Sequence, residues 1–340
     1  MSVSTSAHVT TTLPMSVDPA LLRCPTTGQP LEQSPDGALV SADGAMTYPL
    51  VGGVPVLINE RASTFRIADY QRVEEYSPTT SETPRLVDVV ARHLPSLSLN
   101  RGSRENFELL DELVRAGAGH RERPRVLIVG AGSGGVGSEA LFEDPGVECV
   151  ETDVALGPRT QVVCDAHDLP FVDGAFDAAV CQAVLEHVLD PGRVVQEIHR
   201  VLAPGGLVYS EVPFMQQVHG GAYDVTRFSL LGHRRLYRFF DEIRSGVQGG
   251  PGMALGWSLW YFMRTLAHTR RGRGIAFVLA RVAFWWLKHL DRWLDGEPAA
   301  VDAASGTFFL GRRRSDAVSD ETILASYRGA GSLRPATEGA

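Results

Sequence analysis

The sequence predicts an α/β fold: an open, mostly parallel sheet with helices between its strands. Three observations carry this. Short apolar runs alternate with helical segments from residue 124 to 245, the pattern of a largely parallel sheet. The first run, Val126-Leu127-Ile128-Val129, enters the glycine turn Gly130-Ala131-Gly132-Ser133-Gly134-Gly135. A second apolar run closes on two acids, Glu151 and Asp153. Such a unit binds its ligand beyond the carboxyl ends of the strands, here near Gly130 and Asp153.

At 340 residues the chain has room for two domains, or one with additions, and 44% hydrophobic residues suffice for a sizeable core. Residues 1–20, opening "MSVSTSAHVTTTLPMSV", lack the basic start and apolar run of a signal peptide and read as a disordered tail. A net charge of −8 argues against a duplex-binding face, so no nucleic-acid partner is expected. The four cysteines, Cys24, Cys149, Cys164 and Cys181, have neither metal-ligand spacing nor a disulfide framework. This fits a reducing cytoplasm, and no metal site is expected.

Residues 21–60 are rich in Gly and Pro with short apolar runs, ending in Val54-Pro55-Val56-Leu57-Ile58, and predict a small β-module. The "L-x-CP" opening around Cys24 and the close "YPLVGGVPVLI" resemble a zinc-ribbon-like family that includes activator subunits of tRNA and protein methyltransferases. A zinc ribbon needs four Cys or His ligands. Here Cys24 stands alone, and Thr26 and Thr27 lie where a second Cys belongs, so the expectation is a degenerate, zinc-free module.

Residues 61–120 read as a linker and lid helices. Thr83-Pro84 caps a run with Leu86, Val87, Val90 and Leu94 at helical spacing. "SRENFELLDELVRAG" places Phe107, Leu110, Leu113 and Val114 on one helical face. Strands are predicted at 125–129, 147–151, 160–164, 176–181, 205–212 and 239–247, with Pro204-Gly205-Gly206 as a turn feeding the fifth. "SGTFFLGRRR" supplies a last strand. Residues 253–295, aromatic and helical around the basic turn "TRRGRG", then form an insertion before it. Neither helical run reaches the roughly 20 apolar residues that span a bilayer. A lid, a homodimer contact or a peripheral membrane contact are the expected uses. Residues 316–340 read as a second disordered tail.

The glycine loop alone leaves the cofactor open. Gly130-x-Gly132-x-x-Gly135 matches the dinucleotide fingerprint, with Asp153 near the distance expected of a ribose acid. The downstream run "CDAHDLPFVDGAFDAAVCQAVLEHVLDPGRVVQEIHRVLAPGGLVYSEVP" decides it. Asp165 before Leu169-Pro170-Phe171, then Phe176-Asp177, "AVLEHV", "EIHRVL" and "PGG" closely resemble the class I methyltransferases, strongly over 124–214 and loosely to 314.

That resemblance implies a Rossmann-like class I methyltransferase sheet over 121–315, with the last strand antiparallel, and S-adenosyl-L-methionine as cofactor. It assigns Asp153 to the ribose hydroxyls, with Glu151 as the alternative one register away. Asp165 and Ala166 take the adenine, Gly130, Gly132 and Gly134 the main-chain approach, and Gln182 and Ala183 the methionine end. The family often has an acid at the place of Ile128, so another group must meet the methionine ammonium. For an alcohol acceptor, proton removal must accompany attack. His219 is the candidate base, with Asp224 orienting it, and Tyr223, Arg227 and Phe228 are expected to line the acceptor pocket. His187 in "LEHV" is read as structural.

"SLNRGSRENF", "HGGAYDVTRFSLLGHRRLYRFF" and "SGTFFLGR" resemble bacterial methyltransferases of glycan pathways and, more loosely, the enzyme methylating the mycofactocin oligosaccharide. A glycan or glycosylated small molecule is therefore the expected substrate. A tRNA-modifying methyltransferase with a fused activator-like module and a non-catalytic cofactor-binding scaffold are the alternatives.

Overall fold

The structure is a computed structural model describing residues 15–71, 93–117, 121–132, 134–294 and 296–331. Strands β1 (Leu31–Gln33), β2 (Leu39–Ser41) and β3 (Thr47–Tyr48) make a small antiparallel sheet. β4 (Leu50–Val51) and β5 (Val54–Leu57) follow as a hairpin. Its two-residue turn, Gly52-Gly53, has φ of +59° and +85°, as such tight turns require. The chain continues through α1 (Ile67–Tyr70), α2 (Ser103–Gly117), β6 (Arg125–Val129), α3 (Glu139–Phe142), β7 (Glu148–Asp153) and β8 (Val162–Cys164). Then come β9 (Phe176–Gln182), α4 (Pro191–Val201), β10 (Leu202–Pro213), α5 (Leu230–Leu236) and β11 (Phe240–Gly249). The chain ends with α6 (Pro251–Leu266), α7 (Arg270–Phe284), α8 (Pro298–Asp302), β12 (Gly306–Arg313) and α9 (Asp320–Ala325).

The main sheet has nine strands in the order β11-β12-β10-β9-β6-β7-β8-β5-β4. From β5 through β8, β7, β6 and β9 to β10 all neighbours run parallel, and β12 lies antiparallel between β10 and β11. The chain moves outward from β6 to β7 and β8, then returns to β9 on the other side of β6. The crevice for a ligand opens at such a reversal. Alternation along β6 covers both faces. Leu127 and Val129 join one core with Val194, Val195, Ile198 and Val201 of α4. Val126 and Ile128 join another with Phe107, Leu110 and Val114 of α2. Asp190 caps α4 by accepting from the Arg193 N–H, with Pro191 in the first turn.

Several expectations change. The N-terminal module extends the sheet, because β5 pairs in parallel with β8 through Val56–Val163 and Leu57–Cys164. Residues 15–20 are not a loose tail. Val17 is buried in the core, and Asp18 caps the turn Pro19–Leu21. Residues 316–331 are not a loose tail either. α9, capped by Ser319, buries Ile323 and is tied to α5 by Arg235–Asp320. Pro204–Gly206 falls inside β10 as an irregularity between Leu202 and Leu207, with Gly205 at φ +74°. The helix expected through Leu86, Val87 and Val90 lies outside the described residues, as do residues 1–14 and 332–340.

The insertion between β11 and β12 is helical as expected. No described helix is long and apolar enough to cross a membrane. α6 lies against the loop after β10: Gln217 Nε2 donates to Ser258 Oγ (3.0 Å) and the Tyr261 hydroxyl donates to the Val218 carbonyl (2.5 Å).

Candidate functional site

The glycine turn is folded back onto β7. The Gly130 and Ala131 N–H groups both donate to the Thr152 carbonyl at 2.9 Å. Gly130 has φ +74°, and a Cβ there would lie 2.3 Å from Val184 Cγ2. No other residue satisfies both the conformation and the contact. Two cavities meet at this turn, sharing Val129, Gly130, Gly132 and Ala183 in their walls.

The larger cavity, about 630 Å³, runs from Asp153 to Asp165 and Ala166. Asp153 ends β7 and accepts from the Gly132 N–H and the Ala155 N–H, both at 2.8 Å. Glu151 is instead held in a forked pair by Arg159 at 2.7 and 2.8 Å. Asp165 accepts from Ser63 Oγ (2.6 Å), the His167 N–H (3.1 Å) and His167 Nδ1 (2.5 Å). Burial opposes its charge, but the hydrogen bonds from His167 and Ser63 hold its pKa below the usual carboxylate range. Phe65 and Tyr223 line this cavity with their rings stacked 5.9 Å apart. The segment after β5 therefore completes this end of the site, which the sequence reading had treated as linker. Tyr223, expected to line an acceptor pocket, lines this cavity.

The second cavity, about 340 Å³, is lined by Ile128, Gly134, Gln182, Glu186, Glu211 and His219, with Met253 from α6. Gln182 Nε2 donates to Glu211 Oε2 (2.8 Å) and the Val136 carbonyl (3.2 Å), while its Oε1 is buried without a partner among the described residues. Glu211 Oε1 accepts from Ser103 Oγ (2.6 Å) and the Tyr209 hydroxyl (2.5 Å). Burial raises the Glu211 pKa. Sequence reasoning missed Glu211; its signal was an acid within the buried strand "LVYSEVP".

Glu186 was also missed. Its side chain is 1% exposed, and neither carboxylate oxygen has a hydrogen-bond partner among the described residues. Burial pushes its pKa up to about 7. Orphaned buried acceptors are rare and call for an explanation. The backbone that aims it turns at Ala183, whose φ of +55° is the one positive value outside glycine among the described residues. Such strain gathers at functional sites.

His219 stands over this corner, with Nε2 3.8 Å from Glu186 Oε1. Its Nδ1 lies 3.2 Å from the Gln217 carbonyl and 3.4 Å from Asp224 Oδ2. Asp224 shapes the loop, accepting from the His219 N–H (2.6 Å), the Gly220 N–H (3.1 Å) and the Arg227 guanidinium. Burial opposes its ionisation, but these hydrogen bonds, Arg227 foremost, hold its pKa far below the carboxylate range. Arg227 is spent on Asp224 and on the carbonyls of Gln216 and Gln217, outside both cavities. Phe228 packs against the main core. Neither lines the two cavities at the glycine turn. His187 Nδ1 meets the Tyr223 carbonyl at 2.9 Å, consistent with a fixed imidazole.

In the N-terminal module, Cys24 Sγ accepts from the Thr27 N–H (3.3 Å) and lies 3.2 Å from the Tyr48 hydroxyl, which also meets Thr26 Oγ1. Among the described residues no metal-ligand cluster forms around it.

Residues 127–210 match the family model described as a methyltransferase domain. Over these residues the chain carries a methyltransferase domain. Its cofactor is S-adenosylmethionine. The chain is 36% identical over 98 residues to a demethylmenaquinone methyltransferase of Paenarthrobacter aurescens, covering 26% of this chain and 38% of that one. It is 37% identical over 87 residues to a ubiquinone/menaquinone biosynthesis C-methyltransferase of Desulfotalea psychrophila, covering 26% and 32%. The matches thus span less than half of these relatives' lengths. Among solved structures, a 1,6-didemethyltoxoflavin-N1-methyltransferase of Burkholderia thailandensis aligns with a TM-score of 0.36 at 16% identity, over 62% of this chain and 78% of that one.

The residues of the methyltransferase domain fit this cofactor. The larger cavity offers two carboxylates, Asp153 and Asp165, able to accept hydrogen bonds from the hydroxyls and amino group of an adenosine. Where Ile128 supplies no acid, Glu211 and the unpartnered Gln182 Oε1 are polar acceptors in the adjoining cavity.

Proposed function

We propose that the protein methylates a hydroxyl oxygen, on a sugar of a glycan, an oligosaccharide or a glycosylated small molecule; the mycofactocin oligosaccharide is one candidate. The observation that carries this reading is the corner formed by His219 and Glu186 in the smaller cavity, beside the glycine turn. Bound S-adenosylmethionine supplies an activated methyl group on its sulfonium. The protein's own work is orientation and proton removal. Asp153 and Asp165 hold the adenosine. Glu211 and Gln182 face the methionine ammonium. A sugar hydroxyl is barely ionised at neutral pH, so its proton must leave as attack develops, and His219, oriented by Asp224 and the Gln217 carbonyl, is the group in place to take it.

The names of the quinone-acting relatives favour a second reading, C-methylation of a quinol ring. One assay separates the readings. Cofactor turnover is measured with bacterial oligosaccharides, demethylmenaquinol, tRNA or no acceptor, and the product is analysed for one added CH₂. Methylation of oligosaccharide alone supports the proposal. Methylation of demethylmenaquinol or tRNA alone overturns it, and cofactor binding without turnover on any acceptor points to a scaffold.

The proposed setting is the cytoplasm, with no nucleic-acid partner. The outward face of the insertion exposes Phe262, Leu266, Ile275, Leu279 and Trp293. A membrane surface or a second copy of the chain is the proposed partner there.

A further inference from the structure

We infer that Glu186, His187 and His219 form a binding site for one divalent transition-metal ion, placed to hold an acceptor hydroxyl at the meeting point of the two cavities. This inference rests on the hydroxyl-acceptor reading for its chemistry, though not for the binding of the ion.

One ligand atom from each of the three side chains lies within 4.8 Å of the others. Nε2 of His187 is 3.7 Å and Nε2 of His219 3.8 Å from the same Glu186 oxygen. Atoms bound about 2.0–2.2 Å from a common ion lie ~3–4 Å from one another, so small shifts close the shell. The outer contacts prepare the ligands. A carbonyl oxygen can only accept, so His187 Nδ1 donates to Tyr223 and His219 Nδ1 donates to Gln217. Each neutral imidazole is thereby left with its lone pair on Nε2, the atom turned towards Glu186. Ligating histidines are characteristically fixed in this way by a second-nitrogen hydrogen bond. The rings stand nearly perpendicular, 5.2 Å apart at 82°. Glu186 adds a buried carboxylate whose two oxygens have no hydrogen-bond partner among the described residues. As the wall of a plain apolar core it would be an uncompensated cost; beside a cation both oxygens are usable.

Two imidazoles and one carboxylate suit a borderline ion such as Zn²⁺, Mn²⁺ or Co²⁺ better than Mg²⁺ or Ca²⁺, which prefer all-oxygen shells. Three protein ligands leave coordination positions open, here towards the smaller cavity. A hydroxyl oxygen there gives up its proton more readily, because the ion stabilises the alkoxide. As this oxygen bonds the methyl carbon, the sulfur–carbon bond breaks with its electron pair on sulfur, and the hydroxyl proton passes to water. With the ion bound, His219 Nε2 is a ligand and its proton-accepting role passes to water; without the ion, His219 takes the proton as proposed above. Sugars carry neighbouring hydroxyls, so the substrate class this site favours is a vicinal diol, with two oxygens on two open positions.

The test uses full-length protein freed of metal by chelator and dialysis. Co²⁺, Mn²⁺, Zn²⁺ and Mg²⁺ are titrated separately by calorimetry, and the Co²⁺ complex is followed by its visible absorption. The inference expects one saturable Co²⁺ or Zn²⁺ per chain with weaker Mg²⁺ binding, and at least a tenfold loss of affinity in Glu186→Gln, His187→Ala and His219→Asn. S-adenosylhomocysteine binding by the same variants is measured in parallel, and its retention shows that they are folded. No saturable ion in the wild-type protein, or equal affinity in folded Glu186→Gln and His219→Asn, overturns the inference. Stoichiometric binding with a demethylmenaquinol as the methylated acceptor overturns the hydroxyl reading and leaves the metal site standing. Oligosaccharide methylation undiminished after chelation, with no ion bound, does the reverse.

Discussion

Replacing Asp153 by alanine tests the assignment of the cofactor cavity most directly. In the free protein the carboxylate accepts two backbone N–H groups, from Gly132 and Ala155, both at 2.8 Å. The substitution therefore does two separable things. It removes the charged acceptor for the ribose hydroxyls, and hydrogen bonds to a charged group contribute about 1.5–3 kcal/mol. It also frees the Gly132 N–H, loosening the turn that carries Gly130. Gly132 is exposed, so water can satisfy that donor and the cost in stability should stay near 1 kcal/mol. The expected loss of cofactor affinity is about 10- to 150-fold, with a small drop in Tm. Calorimetry with S-adenosylhomocysteine reads the first and differential scanning the second. Glu151→Gln is the paired control: its carboxylate is already engaged by Arg159, so affinity should change less than threefold. Unchanged affinity in Asp153→Ala, or a larger loss in Glu151→Gln, would refute the register that puts the ribose acid at 153.

Four further outcomes are expected. His219→Ala lowers kcat by roughly 10²–10⁴-fold with cofactor affinity nearly unchanged, whereas Asp224→Asn harms turnover less and lowers Tm, since Asp224 anchors the loop; near-normal turnover in His219→Ala removes this residue from the chemistry. Gly130→Ala should abolish cofactor binding, because the new Cβ meets Val184 at 2.3 Å in a left-handed backbone conformation; wild-type binding by calorimetry would contradict the loop geometry. His233 is buried between Thr307 and Ser210, and burial depresses its pKa to about 3. The unfolded chain then binds a proton that the folded chain refuses, so stability should fall as pH drops from about 6.5 towards 3, and denaturant midpoints of His233→Gln should show a flatter profile over that window. Elemental analysis should find the same metal content in Cys24→Ser as in the wild-type protein, because Cys24 is met by Thr27 and Tyr48 and not by further ligands; a loss of one zinc would reveal a working ribbon.

Much of the fold was legible because its signals are local. Val126–Val129 alternates between two cores because successive strand side chains point to opposite faces. The glycines, the caps and the acid ending β7 are likewise written within a few residues of where they act. The family pattern implied the cofactor and named Asp153, Asp165, Ala166 and Gln182, and the fold brings these four to the walls of two adjoining cavities. What the sequence by itself could not determine is everything that depends on segments far apart meeting. Ser63 reaches Asp165 across 102 positions, and Ser103 reaches Glu211 across 108. Pairing of β5 with β8 is a choice of sheet edge, which no local period encodes. Tyr223 and Arg227 sit within five residues of each other, yet one lines the larger cavity and the other closes on Asp224, since a turn can send neighbours in opposite directions. Glu186 and His187 looked like parts of one family motif. Only the tertiary fold shows that the carboxylate is buried with no hydrogen-bond partner among the described residues, and that His219, 33 positions from Glu186, brings its ring over it. Burial and desolvation are properties of the packed whole, and they decide which of the readable residues have chemistry left to do.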